Sequence, residues 1–242
     1  MGKLFVGTSG WVYKGWAGTF YPTSLPKSRQ IEFYSTHFGS VEINNTFYRL
    51  PTERAVRGWR ERAPDGFIYA VKGSRFITQM KKLNVTKKSI AIFFKRVAPL
   101  REHLGPILWQ LPPNFHKNLP RLKKFLRQLP KQFRYAMEYR HPSWLEEDVW
   151  AVLEKFKVAH VGVSSMAMPM NFKMTSDFIY LRFHGLAGGS AHDYTTDELL
   201  PWARQCRSAL RDQLSVYAYF NNDANARAPE TAREFTRLVR KG

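Results

Sequence analysis

Cysteine is almost absent from this chain, which contains one, Cys206, among 242 residues. A single thiol excludes an intrachain disulfide and a metal site made of several thiolates. Cys206 lies at helical spacing from Ala203 and Leu210, and free cysteines in such a pattern usually pack in a core. We therefore predict a buried structural thiol rather than a nucleophile.

Long apolar segments are also missing. No stretch approaches the ~20 consecutive apolar residues that a membrane-spanning helix requires, and no signal-peptide pattern precedes the first apolar run. We expect a soluble, cytoplasmic protein without a membrane partner. Hydrophobic residues still make up 44% of the chain, which is enough to build a sizeable core.

Acidic residues are scarce: 19 of them face 38 basic residues, and the net charge is +19. Such an excess favours a polyanionic or anionic partner. The cations concentrate in two segments, which are Arg75, Lys81, Lys82, Lys87 and Lys88, and then Arg121, Lys123, Lys124 and Arg127. The second group alternates with leucine and phenylalanine, as on the solvated face of a helix. The first group is the stronger candidate for binding an anion.

Short apolar runs are what the chain has instead. Eight of them recur at fairly regular intervals, and segments of helical period separate most of them. They are residues 4–9, 41–47, 67–74, 106–111, 133–140, 159–165, 178–185 and 214–222. Strand and helix alternating eight times within this length predict a single (β/α)8 barrel of the TIM type, with one domain covering residues 1–242.

The sequence signals for helices are clear in some parts of the chain and absent in one. Ser143 with Glu146, and Thr195 with Glu198, have the spacing of capping boxes and predict two helix starts. Residues 166–176 contain four methionines and a proline but no clear helical period. We therefore predict that the sixth helix of the repeating pattern, the one that follows the sixth strand, is irregular or missing.

Polar residues end nearly every apolar run. Because side chains alternate along a strand, those on the face opposite the aliphatic residues must point into the barrel. The polar inward set is Glu42, Asn44, Thr46, Lys72, Ser74, Gln110, Glu138, Arg140, Tyr180, Arg182 and His184. In the eighth run, Tyr219, Asn221 and Asp223 compete with Ala218, Phe220 and Asn222 for the interior. An isolated buried charge costs several kcal/mol, so these residues must contact one another, a ligand or water.

Six segments carry a family resemblance: GTSGWVYKGWAGTFYP (7–22), VEINNTFYRLP (41–51), LGPILWQLPPNF (104–115), EYRHPSW (138–144), LRFHG (181–185) and VYAYFNND (216–223). In this order they resemble the family called domain of unknown function 72, the YecE-like proteins. The resemblance implies a TIM-type barrel and no particular chemistry. The chain departs from the pattern at Gln79, where a histidine is expected, which puts any role of that histidine in doubt here.

Two inward glutamates offer acid–base chemistry. Strand spacing places the Cα atoms of Glu42 and Glu138 about 13 Å apart, so their carboxyl groups could come within the ~5–10 Å of glycosidase pairs. Arg140 or Arg182 beside one carboxylate would keep it ionised, and the other could keep a raised pKa and serve as an acid. A buried Glu/Arg network that only fills the barrel is the structural alternative.

A divalent metal is a further possibility, and no other cofactor is indicated. Glu42, Glu138, His184 and Asp223 are the candidate ligands, an oxygen-rich set that suits Mg²⁺ or Mn²⁺ and does not exclude Zn²⁺. No His-x-His spacing supports them.

The loops after the strands add two open questions. The glycine-rich residues 185–190 could form a lid or an anion cradle. The first loop could stack a base or a sugar with its aromatic residues, or use them as a hydrophobic plug. Those aromatics are Trp11, Tyr13, Trp16, Phe20 and Tyr21, and Lys14 lies among them.

The interpretation that unites these patterns is a pocket at the carboxyl ends of the strands for an anionic, phosphate-containing substrate, such as a nucleotide or nucleic-acid fragment, which the protein hydrolyses. Glu42, Glu138 and His184 are the candidate catalytic residues. The candidate binding residues are Trp11, Asn44, Lys72, Arg75, Gln110, Arg140, His141, Arg182, Asn221 and Asn222. Glycoside hydrolysis and nucleic-acid binding without catalysis remain alternatives. No pattern indicates an oligomeric state.

Overall fold

The strands form one nearly closed parallel barrel in the computed structural model, which describes residues 2–241. They are Leu4–Thr8 (β1), Ser40–Ile43 (β2), Ile68–Lys72 (β3), Leu104–Gln110 (β4), Tyr135–Glu138 (β5), Val158–Ser164 (β6), Phe178–Phe183 (β7) and Ser215–Phe220 (β8). Their hydrogen-bonded order is β1-β8-β7-β6-β5-β4-β3-β2, and β2 packs beside β1. The predicted (β/α)8 TIM-type barrel is confirmed.

Helices surround this barrel. They are Gln30–Ser35 (α1), Asn45–Tyr48 (α2), Glu53–Glu61 (α3), Lys87–Val97 (α4), Leu119–Leu126 (α5), Glu147–Phe156 (α6), Thr196–Arg211 (α7) and Arg227–Arg240 (α8). Residues 165–177 connect β6 to β7 without a helix, as predicted. None of the helices within residues 2–241 is long and apolar enough to cross a membrane.

The seam between β1 and β2 is closed by a side chain. The hydroxyl of Tyr34, on α1, accepts a hydrogen bond from the Thr8 amide at 2.8 Å and donates one to the Ser40 carbonyl at 3.2 Å. Gly7 allows this close approach, because a Cβ atom there would lie 1.9 Å from the Ser40 oxygen. Tyr34 therefore bridges β1 and β2, which no hydrogen-bonded ladder joins in the described part of the chain.

Alternation along the strands builds two separate cores. Outward residues such as Ile43, Trp109 and Phe183 pack against the helices. Inward residues fill the middle of the barrel with alanine, branched aliphatic and aromatic side chains, namely Ala70, Leu108, Ala136, Ala159, Val161, Val163, Phe178, Tyr180, Tyr217 and Tyr219. Together these side chains leave a packed interior rather than a channel. They form the floor on which the polar residues at the carboxyl ends rest.

The second apolar run is not a strand throughout. β2 ends at Ile43, and Asn45–Tyr48 forms a short helix. Thr46 does not continue the strand alternation, because its hydroxyl donates to the Lys72 carbonyl at 2.6 Å. The ring centroid of the neighbouring Phe47 lies 4.2 Å from the Lys72 Nζ atom. The inward prediction for Thr46 extended a strand period beyond the end of the strand.

The third run also ends early, because β3 stops at Lys72. Ser74 was predicted to point inward, but it precedes the π-helical turn Phe76–Met80 and its carbonyl accepts from the Ile77 amide at 3.0 Å. Alternation carries no information once the backbone leaves the extended conformation.

One of the two predicted capping boxes is confirmed. Thr195 accepts from the Glu198 amide, and the Glu198 side chain accepts from the Thr195 amide, at the start of α7. The other prediction was wrong. Ser143 lies inside the 3-10 turn Pro142–Trp144, and α6 begins only at Glu147. The indole of Trp144 is buried and donates to a loop carbonyl, which holds this turn apart from the helix.

The loop after β1 is mainly a plug. Trp16, Phe20 and Tyr21 are buried and pack on one another, with Phe20 also against Tyr34 of α1. Cys206 is buried in α7, and burial raises the pKa of its thiol to about 12. It lies in the helix-facing core, as predicted.

Candidate functional site

An arginine between two glutamates occupies the carboxyl end of the barrel. Arg182 on β7 donates through Nη2 to Glu42 Oε1 on β2 and through Nη1 to Glu138 Oε2 on β5, both at 2.7 Å. All three side chains are buried. Their strands lie on different sides of the ring, so this one guanidinium ties the barrel together across its interior.

Uncharged side chains also donate hydrogen bonds to the carboxylate oxygens of Glu42 and Glu138. Ser9 donates to Glu42 Oε1 at 2.9 Å, and Tyr180 donates to Glu42 Oε2 at 2.7 Å. Gln110 donates to Glu138 Oε1 at 2.9 Å. Both carboxylates therefore sit in a shell of donors that favours their charged form.

The electrostatics of the two glutamates follow from this shell. Burial by itself would raise the pKa of Glu42, but Arg182 outweighs it and the pKa lies below the usual range. Burial opposes the charged form of Glu138 as well, and there Arg140 and Arg182 together lower the pKa far below the usual range. The sequence interpretation left room for one glutamate to keep a raised pKa and act as an acid. That possibility is wrong for this arrangement, because the same arginine contacts both.

His184 lies at the edge of the network as a neutral imidazole. Its Nε2 atom is 2.7 Å from Arg140 Nη2 and 3.1 Å from Arg182 Nη1. Burial and then Arg182 lower its pKa to about 4. Because two guanidinium groups donate to Nε2, the proton belongs on Nδ1. Asn221 Nδ2 lies 3.3 Å from Nδ1, and turning this amide by 180° places its oxygen there to accept that proton.

Arg140 is less completely paired than Arg182. Its Nε atom lies 2.5 Å from Glu138 Oε1, but the N–H is not directed for a hydrogen bond. Its side chain is 21% exposed, and Nη1 makes no hydrogen bond to another residue in the described part of the chain. One edge of this guanidinium is free to bind a ligand.

Lys72, at the end of β3, is the least paired of the buried charges. The residue is 9% exposed, and Nζ faces the Phe47 ring without a hydrogen bond or ion pair to any residue between 2 and 241. Burial and then Arg182 lower its pKa to about 8, although Glu138 and Glu42 oppose that shift. Three cationic side chains thus surround two carboxylates, and the cluster carries one excess positive charge.

An aromatic cleft of about 350 Å³ opens beside this cluster, after β1 and β2. Trp11, Tyr13 and Tyr48 supply its walls, and Ser9 connects it to Glu42. Asn44, which follows β2 directly, also lines the cleft, and its buried Oδ1 atom has no hydrogen-bond partner. The cleft therefore combines stacking surface with an unused polar group.

Comparison with known proteins decides the family. A sequence profile described as "Protein of unknown function DUF72" matches residues 5–242. The chain belongs to the DUF72 family. The UPF0759 protein YecE of Escherichia coli K12 is 34% identical over 142 residues, which are 58% of this chain and 50% of that protein. The aligned part thus spans half the length of that relative. The UPF0759 protein YunF of Bacillus subtilis is 23% identical and aligns over 98% of this chain and 94% of its own.

Solved structures of DUF72 proteins share this fold. One from Thermotoga maritima has a TM-score of 0.86 and 26% identity, over 99% of this chain and all of that one. One from Enterococcus faecalis has a TM-score of 0.84 and 19% identity, over 99% and 96% of the two chains. The recognised resemblance is confirmed, and the family name carries no activity.

Several predicted site residues of this DUF72 chain lie outside the cluster. The Asn222 amide donates to the His192 carbonyl and the Thr231 hydroxyl, toward the helices. His141 stacks on His116 with ring centroids 3.9 Å apart, and Arg75 is exposed. Because Asn222 faces the helices, the alternate residues Tyr219 and Asn221 are the ones at the end of the eighth strand that face the interior.

The four candidate metal ligands do not assemble. Within residues 2–241, no group of three or more His, Cys, Asp or Glu side chains is placed to hold a metal ion. Arg182 occupies Glu42 and Glu138, while Asp223 accepts from the Trp16 indole at 2.5 Å. Burial raises the pKa of Asp223 to about 6, which suits a carboxyl group remote from the arginines.

Sequence reasoning missed two contributors to the DUF72 site. Ser9 lies directly after β1, and the rule applied to the other strand ends would have found it. Gln79 donates to the Gln110 carbonyl at 2.8 Å. Gln79, at the position where the family pattern suggests histidine, therefore supports Gln110, which in turn contacts Glu138. Within the described residues, Gln79 itself does not contact the ion network.

Proposed function

We propose that the carboxyl end of this DUF72 barrel binds an anionic ligand through a phosphate or carboxylate group. The observation that carries the proposal is the pair of cations with unused donors, Lys72 Nζ and Arg140 Nη1, at a cluster with one excess positive charge. Desolvated cations gain most from an added anion, because the protein around them screens the attraction weakly. Planar guanidinium groups also match the oxygen geometry of phosphate and carboxylate.

The same donors could stabilise charge that develops on a phosphoryl group, so hydrolysis of a phosphate-containing substrate is the reaction to test first. Glu42 and Glu138 contribute by balancing the arginines, since both are ionised and already accept several hydrogen bonds. Glycoside hydrolysis has weaker support, because it needs one protonated carboxyl group near neutral pH. His184 with a pKa of about 4 orients Arg140 and is a weak base.

Binding of single-stranded nucleic acid is a second candidate, favoured by exposed aromatics at the strand-end face. Tyr48 is 67% exposed after β2, and Phe76 is 40% exposed after β3, with Lys81 Nζ 5.7 Å from the Phe76 ring centroid. Exposed rings beside cations can stack unpaired bases while the cations contact phosphates.

Ligand-induced stabilisation tests the anion site. Thermal unfolding and isothermal titration calorimetry with inorganic phosphate, nucleoside monophosphates and small phosphate esters should show binding to the parent, worth about 2.7 kcal/mol at a hundredfold excess over Kd. Lys72→Met and Arg140→Gln should each weaken this binding. Lys155→Met, which removes an exposed lysine on α6, is the matched control. Equal binding by all four proteins, or no binding by the parent, would overturn the proposal.

The salt dependence of oligonucleotide affinity tests the second candidate. Each phosphate contact should contribute roughly 0.7 to the log–log slope with salt concentration. Neutralising Lys81, Lys82, Lys87 and Lys88 should flatten the slope more than neutralising the α5 group, Arg121, Lys123, Lys124 and Arg127. Equal slopes from both sets would indicate diffuse attraction without a directed site.

A further inference from the structure

Lys72 offers more than a charge for binding an anion. We infer that its amine is a nucleophile that forms an imine with the carbonyl group of an aldehyde, ketone or 2-oxo acid that also bears a phosphate or carboxylate. This inference deepens the proposed function, because the anionic group of the ligand would be held by the same cluster.

The placement of the amine supports this role. Lys72 ends β3, and the Thr46 hydroxyl, donating to its carbonyl at 2.6 Å, holds that strand end in place. The next residue, Gly73, lies so close to Trp109 that a Cβ atom would be 2.2 Å from the indole ring. The backbone that carries the amine is therefore fixed from both sides. The residue keeps 9% of its surface exposed, and Nζ has no hydrogen-bond or ion-pair partner within the described residues.

The charged surroundings favour a neutral amine more than those of a surface lysine. Arg182 on β7 and Arg140 on β5 disfavour the ammonium form, as burial does, while Glu42 on β2 and Glu138 on β5 favour it. With a pKa of about 8, roughly a tenth of the Lys72 side chains are neutral at pH 7. A lysine desolvated beside a cation is an established way to obtain a reactive amine.

The chemistry balances without an oxidant or reductant. The nitrogen lone pair bonds to the carbonyl carbon, the carbonyl π electrons move to oxygen, and a proton passes from nitrogen to that oxygen to give a carbinolamine. A proton from solvent, equal to the one that the lysine ammonium released to become an amine, then protonates the carbinolamine hydroxyl, and loss of water breaks the carbon–oxygen bond and leaves a protonated imine. This cation replaces the lysine ammonium, so Glu42 and Glu138 still balance the charge of the cluster.

Arg140 is suited to hold the anionic group of such a ligand. Its free Nη1 edge belongs to the same network, and its Nη2 is fixed by His184 at 2.7 Å. The aromatic cleft beside Ser9 offers room for the rest of the molecule. The expected ligand class is therefore a small anionic carbonyl compound.

Reductive trapping tests the imine directly. The purified protein is incubated with sodium cyanoborohydride and either pyruvate, glyceraldehyde 3-phosphate or uncharged acetone, and modified lysines are located by peptide mass spectrometry. We expect a reduced adduct on Lys72 with one or both anionic probes, well above the labelling of Lys155 in the same sample. Acetone should label Lys72 much less, and excess inorganic phosphate should protect it.

Two variants and a pH series complete the test. Lys72→Arg keeps the charge and should lose the adduct, whereas Lys155→Met should retain it. The labelling of Lys72 itself should rise steeply as pH increases toward about 8 and gain little above that. Protection by phosphate in the parent gives a result even if Lys72→Arg folds poorly.

The outcomes separate the two proposals. Phosphate binding by calorimetry without preferential labelling of Lys72 by either anionic probe would overturn the imine and leave the anion site in place. Labelling of Lys72 that acetone equals and phosphate does not prevent would support a reactive amine and overturn the anion site. Absence of both binding and labelling would overturn both.

Discussion

Arg182 and Lys72 lie in one polar cluster and are opposites in their bonding. Arg182 holds a carboxylate on each terminal nitrogen at 2.7 Å, and only its Nε atom lacks a partner. Lys72 has an aromatic ring beside it and no ionic partner within hydrogen-bonding distance among the described residues. A cation so thoroughly paired braces the barrel, whereas an unpaired buried cation can still gain a partner.

The chemistry of the two side chains explains the division. The planar fork of arginine can bridge two carboxylates from different strands, which a lysine ammonium on a flexible stem does poorly. Lysine changes its pKa readily when buried, and arginine does not. The cluster thus uses arginine where permanent charge is needed and lysine where a variable one is possible.

The largest expected effect is the loss of the brace. Arg182→Met should destabilise the protein by at least about 3–5 kcal/mol, because it leaves two buried carboxylates without their shared partner. Urea unfolding at pH 7 measures this. Lys155→Met should change stability by less than ~0.5 kcal/mol, as surface substitutions usually do. A loss below about 1 kcal/mol in Arg182→Met would remove the distinction between the two cations.

Glu138→Gln should have the next largest effect, about 3 kcal/mol of destabilisation. Glutamine keeps the shape of the side chain but leaves Arg140 without its anionic partner, while Arg182 retains Glu42. The same unfolding experiment applies, with Glu138→Asp as a variant that keeps the charge. If Glu138→Gln is as stable as the parent and loses phosphate binding, Glu138 serves ligand binding, as proposed for Lys72, and does not brace the barrel as Arg182 does.

Acidification should weaken the fold through its buried histidines. Burial lowers the pKa of His160 to about 3 and that of His184 to about 4, from an ordinary value of 6.5. Below pH 6.5 the unfolded chain therefore binds more protons than the folded one, and stability falls by roughly 1.4 kcal/mol per pH unit for each histidine. The lowered pKa values of the glutamates add a further loss only below about 4.5.

His160→Phe tests this assignment, because the buried His160 ring packs against Trp150 and Tyr139, with centroids 4.4 and 6.1 Å away, and a phenyl ring can replace it. The variant should show a flatter dependence of unfolding free energy on pH between 6.5 and 4.5. An unchanged slope would mean that other groups take up the protons.

Among the substitutions of buried charges, the smallest expected effect on stability is that of Lys72→Met. Removing an unpaired buried cation should leave the protein as stable as the parent or up to about 1 kcal/mol more stable, with lost ligand binding as the functional cost. In the parent, the lowered pKa of Lys72 makes the free energy of unfolding rise with pH between about 8 and 10.5, because in that range Lys72 is still protonated in the unfolded chain and mostly neutral in the folded one. Lys72→Met should flatten that rise. A marked loss of stability would show that Lys72 braces the barrel as Arg182 does.

Much of the interior could be predicted because strand alternation has a period of two wherever the backbone is extended. Glu42, Glu138 and Arg182 were correctly predicted to point inward for that reason. His184, one residue beyond the end of β7, also points inward, as the alternation with Arg182 predicts. The same rule failed at Thr46 and Ser74, where the backbone had already turned. At the end of β8 two patterns of alternation fitted the sequence equally well, and only tertiary contacts distinguish them: Asn221 lies against His184, whereas Asn222 donates to Thr231 on α8.

By itself, the sequence determined the barrel, the lack of a helix between β6 and β7 and the identity of most inward charges, because these depend on local periodicity and composition. Only the tertiary structure decided which charges meet. Arg182 contacts both glutamates and Lys72 contacts neither, although all four point inward from strand ends. Ion pairs across the ring join residues more than forty positions apart, and their geometry depends on strand stagger and tilt, which no local pattern in the chain encodes.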